Sequence, residues 1–234
     1  MKKVIAIVLA VILVAMIGAT GAFAQENPNA SAKATAQITN LTVISWSGLD
    51  TVGPPFTHFR AQKVLEQTIK TANKKDLFID VSLQSALFTD TVVKSKNMQR
   101  DTSTAGAAVW VVVVIDDEAM AFPGVVEWNA RVQQLTAVLQ GEIESVTAEG
   151  DPVIGDPEEI GLFIGTLSVN SFNFIIPDVS SGMHNIKVYA AVGTYADYEQ
   201  GDANAVAVIG LGSMTVEEVR MVKDEGGVPP PIEL

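Results

Sequence analysis

Leu77-Phe78-Ile79-Asp80-Val81-Ser82-Leu83-Gln84-Ser85-Ala86-Leu87 is the stretch on which the fold turns. In an extended chain Leu77, Ile79, Val81, Leu83, Ser85 and Leu87 share one face, while Asp80, Ser82 and Gln84 share the other. Side chains alternate between the faces of a strand, whereas a helix repeats every 3.6 residues. Six successive positions in a period of two therefore predict a strand with one buried face. Asn73 to Asp76 is a polar turn ahead of it. The segment before that, 62–72, fits two periods: Val64, Leu65, Thr68, Ile69 and Ala72 form a helical stripe, and Leu65, Gln67, Ile69 and Thr71 alternate. Next to so clear a strand it is read as the first arm of a hairpin.

Working outward, Ala107 to Ile115 is a β-branched run between Gly106 and Asp116-Asp117. Both of its faces are apolar, which predicts a central strand covered on each side, with Trp110 in the core. Lys94 to Thr104 is polar and expected to be a loop. The stretch 125–140 again fits a helix (Trp128, Val132, Leu135, Leu139) or a strand (Arg131, Gln133, Leu135, Ala137, Leu139), and its β neighbours favour the strand. Further strands are expected at Ala34 to Trp46, Leu162 to Val169, Phe172 to Ile176, His184 to Ala191, Ala205 to Leu211 and Met214 to Val222, the last two joined by Gly212-Ser213. Residues 142–160 hold seven carboxylates and two Gly-Asp-Pro sequences, which reads as a long acidic loop. Asp197 to Asn204 is expected to be a second polar loop. The predicted fold is all-β, an antiparallel β-sandwich of about 8–10 strands, jelly-roll-like at this length.

The ends carry an address. Met1-Lys2-Lys3 is followed by an apolar run from Val4 to Ile17 and by Ala22-Phe23-Ala24, the layout of a signal peptide cleaved after Ala24. The competing arrangement is an uncleaved anchor over Val4 to Ala24. Residues 25–33 form a flexible mature N-terminus, 34–222 the sandwich and 223–234 a Pro-rich tail. The expected location is secreted, extracellular or at the cell surface, and periplasmic in a host with two membranes. After cleavage no membrane partner is expected.

The chain has 234 residues, no cysteine, and 48% hydrophobic residues, which exclude a disordered tail protein, a disulfide scaffold and thiol chemistry. About 210 residues remain after cleavage, enough for a self-sufficient core. Its formal charge is −12, and −14 without Lys2 and Lys3. So acidic a chain has few cations with which to release phosphate counterions, so no nucleic-acid partner is expected.

Thr68 to Thr71, Asp76 to Ser82, Phe88-Thr89-Asp90-Thr91, Ser171 to Phe174 and Gly182 to Ile186 together resemble a loose group of secreted prokaryotic proteins that look β-rich. The resemblance implies a secreted sandwich and lends no catalytic residue.

Chemistry-bearing residues are few. The two histidines, His58 and His184, stand in no nucleophile-elbow or metalloprotease motif, so no catalytic residue is assigned. His184 is expected to open a strand with its ring bonded to a turn carbonyl. Asp151, Asp156, Glu158 and Glu159, on a chain kinked by proline and glycine, offer oxygens of the kind Ca2+ takes, though their spacing matches no EF-hand. Simple solvation of an acidic face is the alternative. Trp46 and Trp128, near predicted strand ends, are the candidates for stacking on a carbohydrate, against core packing. Asn29 and Asn40 head N-x-S/T sequons. The functional expectation is a non-enzymatic sandwich with a structural, adhesive or matrix role, able to associate with itself or with surface partners. A carbohydrate- or other ligand-binding module is the alternative, and a carboxylate-pair glycoside hydrolase the second.

Overall fold

The computed structural model describes residues 34–38, 44–46, 59–72, 74–220 and 232–233. The signal segment, residues 25–33, His58, both sequons and most of the C-terminal tail lie outside them. In chain order the strands are β1 (Ala34–Ile38), β2 (Ile44–Trp46), β3 (Phe59–Thr71), β4 (Lys75–Ser95), β5 (Gln99–Ile115), β6 (Ala119–Met120), β7 (Val126–Leu139), β8 (Ile143–Val146), β9 (Pro152–Ile154), β10 (Glu158–Val179), β11 (Gly182–Tyr198), β12 (Asp202–Val219) and β13 (Ile232–Glu233). Every described element is a strand and every pairing is antiparallel. The fold is therefore all-β, as the alternation of β4 predicts.

Two sheets build the sandwich. In the first, β1 and β2 follow one another along β12, which pairs with β4, which pairs with β10. In the second, β3 pairs with β11 and β11 with β5, while β7 and the short β6–β13 ribbon share the far edge of β5. The hairpin β8–β9 stands apart. Taking β1 with β2 as the first long segment, then β3, β4, β5, β7, β10, β11 and β12, the sheet orders are 1-8-3-6 and 2-7-4-5. The chain thus changes sheet at every connection between long segments except that from β5 to β7.

The core lies between the sheets. Leu77, Ile79, Val81, Leu83 and Leu87 of β4 meet Val109, Val111 and Val113 of β5, Ile186 and Val188 of β11, and Phe174 and Ile176 of β10. Burying one such side chain contributes about 1.5–3 kcal/mol, before the entropy of ordering the chain is charged against it.

Several expectations are corrected. Strands β3 and β4 do not form a hairpin: β3 pairs with β11, β4 with β10 and β12, and the link after Thr71 steps from one sheet to the other. Residues 94–104 are the end of β4, a tight turn at Asn97 and Met98 with φ of 55° and 58°, and the start of β5. Their polarity serves the turns at one pole of the sandwich. Buried Asp101 accepts hydrogen bonds from the backbone N–H of Lys94 at 2.7 Å, Thr102 at 2.9 Å and Gln200 at 3.1 Å, and Ser103 Oγ donates to Asp202 O at 2.6 Å. The acidic loop 142–160 contains the β8–β9 hairpin and the first residues of β10. Leu162 to Val169 and Phe172 to Ile176 belong to one strand. The Gly212-Ser213 junction lies inside β12, where the register against β4 shifts between Ile209 and Gly212. Asp197 to Asn204 is mostly strand, with the turn confined to Glu199–Gly201.

Candidate functional site

His184 sits near the start of β11 and is nearly buried. Its Nε2 lies 3.0 Å from the carbonyl of Ser180, the turn carbonyl bond expected from sequence, and its Nδ1 lies 2.7 Å from Asp116 Oδ2. Asp116 heads the tight turn after β5, with φ of 54°, and its Oδ1 accepts the N–H of Asn185 at 2.7 Å. Thr71 Oγ1 donates to the same Ser180 carbonyl, and Lys187 pairs with Asp117. A Ser-His-Asp site needs Nε2 directed at a nucleophilic hydroxyl. Here both ring nitrogens hold acceptors, so the dyad ties the β10–β11 turn to the β5–β6 turn.

The carboxylates expected to hold Ca2+ divide. Asp156, Glu158 and Glu159 line an open cavity of about 730 Å³ with Glu142, Lys94, Leu139, Pro157 and Ile160, while Asp151, in the turn of the β8–β9 hairpin, is not among its walls. Lys94 Nζ lies 2.7 Å from Glu159 Oε1, and Glu158 Oε2 accepts the N–H of Gly141 at 3.2 Å. The Glu159 hydrogen bond and charge push the Lys94 ammonium above its ordinary value. Among the described residues no three acidic or imidazole side chains form a group able to hold a metal ion.

Trp128 takes the core-packing place weighed against carbohydrate stacking, and Trp110 leaves the core place expected of it. Trp128 is 6% exposed, packs in the core and donates its indole N–H to Leu83 O at 3.3 Å, so it presents no stacking face to solvent. Trp110, expected in the core, is half-buried on the outer face of the second sheet. With Ala61, Val112, Val125, Tyr189 and Ala191 it lines an apolar groove of about 370 Å³. Trp46 lies in β2, opposite Ala207.

A polar seam was not legible in the sequence. The register of β7 against β5 slips at Trp128, because Val109 faces Asn129 while Trp110 faces Glu127. The extra residue turns Asn129, Arg131 and Gln133 toward the first sheet. Asn129 Nδ2 donates to Ser85 Oγ at 3.1 Å and Ser168 Oγ at 3.0 Å, and Arg131 donates to Ile164 O at 2.8 Å and to Thr166 Oγ1. Gln133 donates to Thr91 Oγ1 at 2.7 Å and Leu162 O at 2.6 Å, and accepts from Thr89 Oγ1 at 2.8 Å. These bonds stitch β7 beneath β4 and β10.

Beyond the seam, β10 forms the edge of the first sheet. It runs for 22 residues and, among the described strands, pairs with β4; on its other side Ile175 exchanges backbone hydrogen bonds with Phe122 at 2.8 and 3.1 Å. Ile160, Leu162 and Ile164 project on the inner side and Phe163, Leu167 and Val169 on the outer, all between 38% and 69% exposed. Phe163 stacks on Phe88 of β4, ring centres 6.3 Å apart. From Ile160 to Pro177 the chain carries no charged residue over 18 positions. Soluble proteins blunt sheet edges with charges, prolines, bulges or short strands; β10 stays regular as far as Ile176 and has its one proline at Pro177.

No family model matches the chain, and no curated protein matches it. Among solved structures, that of infectious bursal disease virus Gx strain aligns with 88% of this chain and 42% of its own at 13% identity and a TM-score of 0.25. A CocE/NonD family hydrolase from Staphylococcus aureus aligns with 77% of this chain and 37% of its own at 9% identity and a TM-score of 0.17. The chain spans less than half the length of either.

Proposed function

We propose that this is a secreted, non-enzymatic β-sandwich with a structural or adhesive role at the cell surface or in an extracellular matrix, and that it acts by self-association. The observation that carries this is the β10 edge: on the side away from β4 it pairs with no described strand from Ile160 to Asn173, before the Phe122 bridge at Ile175, and it is apolar on both faces and free of charge from Ile160 to Pro177. A strand apolar on both faces has the composition of a sheet interior. Such an edge is satisfied when another chain adds a strand to it. The order 1-8-3-6 and 2-7-4-5 supports a jelly-roll reading of the sandwich, and the Met1 to Ala24 segment supports export. Light scattering on the purified protein tests the role: species larger than a monomer are expected, and Leu167→Lys should return them to monomers by placing a charge mid-edge. A monomer at every concentration overturns the reading. The acidic cavity borders the first residues of β10, but its carboxylates form no group of three able to hold a metal ion, so the size distribution is expected to be the same in millimolar Ca2+ and in chelator.

The Trp110 groove favours a second reading, a ligand-binding module. A half-buried Trp and Tyr beside small Ala61 and Ala191 line a groove with ring surfaces of the kind that stack on sugars. Saturable binding of cello-oligosaccharides or xylan, lost in a Trp110→Ala variant that remains folded, is the expected result. Absence of saturable binding to either glycan removes this reading.

A further inference from the structure

We propose that the partner of β10 is the β10 of a second copy, the two edges pairing antiparallel across a twofold axis close to Leu167 and fusing two first sheets into one. This rests on the self-association reading above and adds which surface meets which.

Length and charge select the pair. On the opposite edge of the same sheet β1 has 5 residues and β2 has 3, too short to cover β10. In the second sheet β3 has 13 residues and bears Arg60, Lys63, Glu66 and Lys70, and β7 has 14 and bears Glu127 and Arg131. Those are the charged edges that resist pairing. Among the described strands, the long uncharged edge that can cover a β10 is another β10. Its Glu158 and Glu159 lie at its start, and Asp178, ion-paired with Lys74 at 3.5 Å, lies near its end. A parallel pair would bring the four glutamates together, and like charges directly opposite are destabilising. An antiparallel pair centred on Leu167 spans Gly161 to Asn173 of each copy, stopping short of Ile175, whose outer edge is bonded to Phe122, and holds the two Glu158–Glu159 pairs roughly 50 Å apart. In that register Leu167 faces itself, Val169 faces Gly165, and Phe163 faces Ser171. The inner stripe brings Leu162 against Phe172 and Ile164 against Asn170. A twofold contact of this kind is isologous and closed, so it ends at the dimer.

The chain has no cysteine, which makes the geometry readable by single substitutions. A residue on the axis meets its own copy with Cβ atoms about 4.5–5.5 Å apart, close enough for a disulfide after small adjustment. Phe163→Cys, Gly165→Cys, Leu167→Cys, Val169→Cys and Ser171→Cys are to be oxidised separately, and the covalent dimer quantified beside the native mass from light scattering. The expected outcome is a native dimer and a single sharp maximum of cross-linking at Leu167→Cys, several-fold above Phe163→Cys and Ser171→Cys. Oligomers with no self-cross-link at any position, or with a ladder of higher covalent species, overturn the twofold pairing and leave self-association standing. A native monomer overturns both.

Discussion

Replacing Trp128 with alanine is expected to cost about 3–5 kcal/mol of stability, the range for truncating a buried tryptophan, and to lower the unfolding midpoint by roughly 10 °C in a chain of this size. Two losses combine. The indole leaves a cavity between β4 and β7 that this antiparallel frame closes only partly, and the Leu83 carbonyl loses the N–H that reaches it at 3.3 Å. Trp128 is also the residue at which β7 slips register, so its truncation loosens the seam of Asn129, Arg131 and Gln133 that begins at the next residue. Trp128→Phe keeps most of the packing and drops the hydrogen bond, and is expected to lose about 1–2 kcal/mol. Trp110→Ala, on the outer face, should lose less than half of what Trp128→Ala loses. Thermal unfolding of the three variants decides it: equal midpoints for Trp110→Ala and Trp128→Ala would mean that the two rings are not divided between groove and core.

That division shows where the sequence is readable. Strand β4 is legible because one face meets the core and the other meets polar surroundings, so Leu77, Ile79, Val81 and Leu83 separate cleanly from Asp80, Ser82 and Gln84. Strand β5 hides its parity. From Ala107 to Ile115 every residue is apolar, and nothing in the order of letters says that Val109, Val111 and Val113 point inward while Trp110 and Val112 line a groove. Strand β7 misleads in the opposite sense, since the slip at Trp128 reverses the alternation and turns polar side chains inward. A bulge is a property of two paired strands, so no pattern within one of them announces it. The β3–β4 hairpin failed for a related reason: nearness in sequence favours pairing, but here each successive segment crosses to the other sheet, and the partners of β4 lie far along the chain. Of the candidate sites, the turn bond of His184 was visible as a strand opening after a glycine turn. The grouping of Glu142 with Asp156, Glu158 and Glu159 depends on how the β8–β9 hairpin folds back, which composition does not encode.

The same long-range crossings make a single methyl group costly at Gly201. This residue closes the turn between β11 and β12, and a Cβ built on it would lie 1.7 Å from the carbonyl oxygen of Val92 and 2.6 Å from its carbon. Both obstacles are backbone atoms of a strand held on each side, so no rotamer change relieves them. The turn must lift away, and lifting it strains the bond from Gln200 N–H to buried Asp101 at 3.1 Å and the bond from Ser103 Oγ to Asp202 O at 2.6 Å. Overpacking alone costs about 1–3 kcal/mol, and leaving buried polar groups unpaired adds about 1–3 kcal/mol more. Gly201→Ala is therefore expected to lose about 3 kcal/mol or more, or to fail to accumulate as folded protein. Gly161 is the control, because its added Cβ would meet Val92 Cγ2 at 3.6 Å, an ordinary contact on the same residue. Gly161→Ala should change stability by less than about 0.5 kcal/mol. Unfolding midpoints within 2 °C of each other, by the roughly 2–4 °C that each kcal/mol moves a chain of this length, would show that the β11–β12 turn is not seated on β4, and that the pole built around Asp101 is open rather than closed.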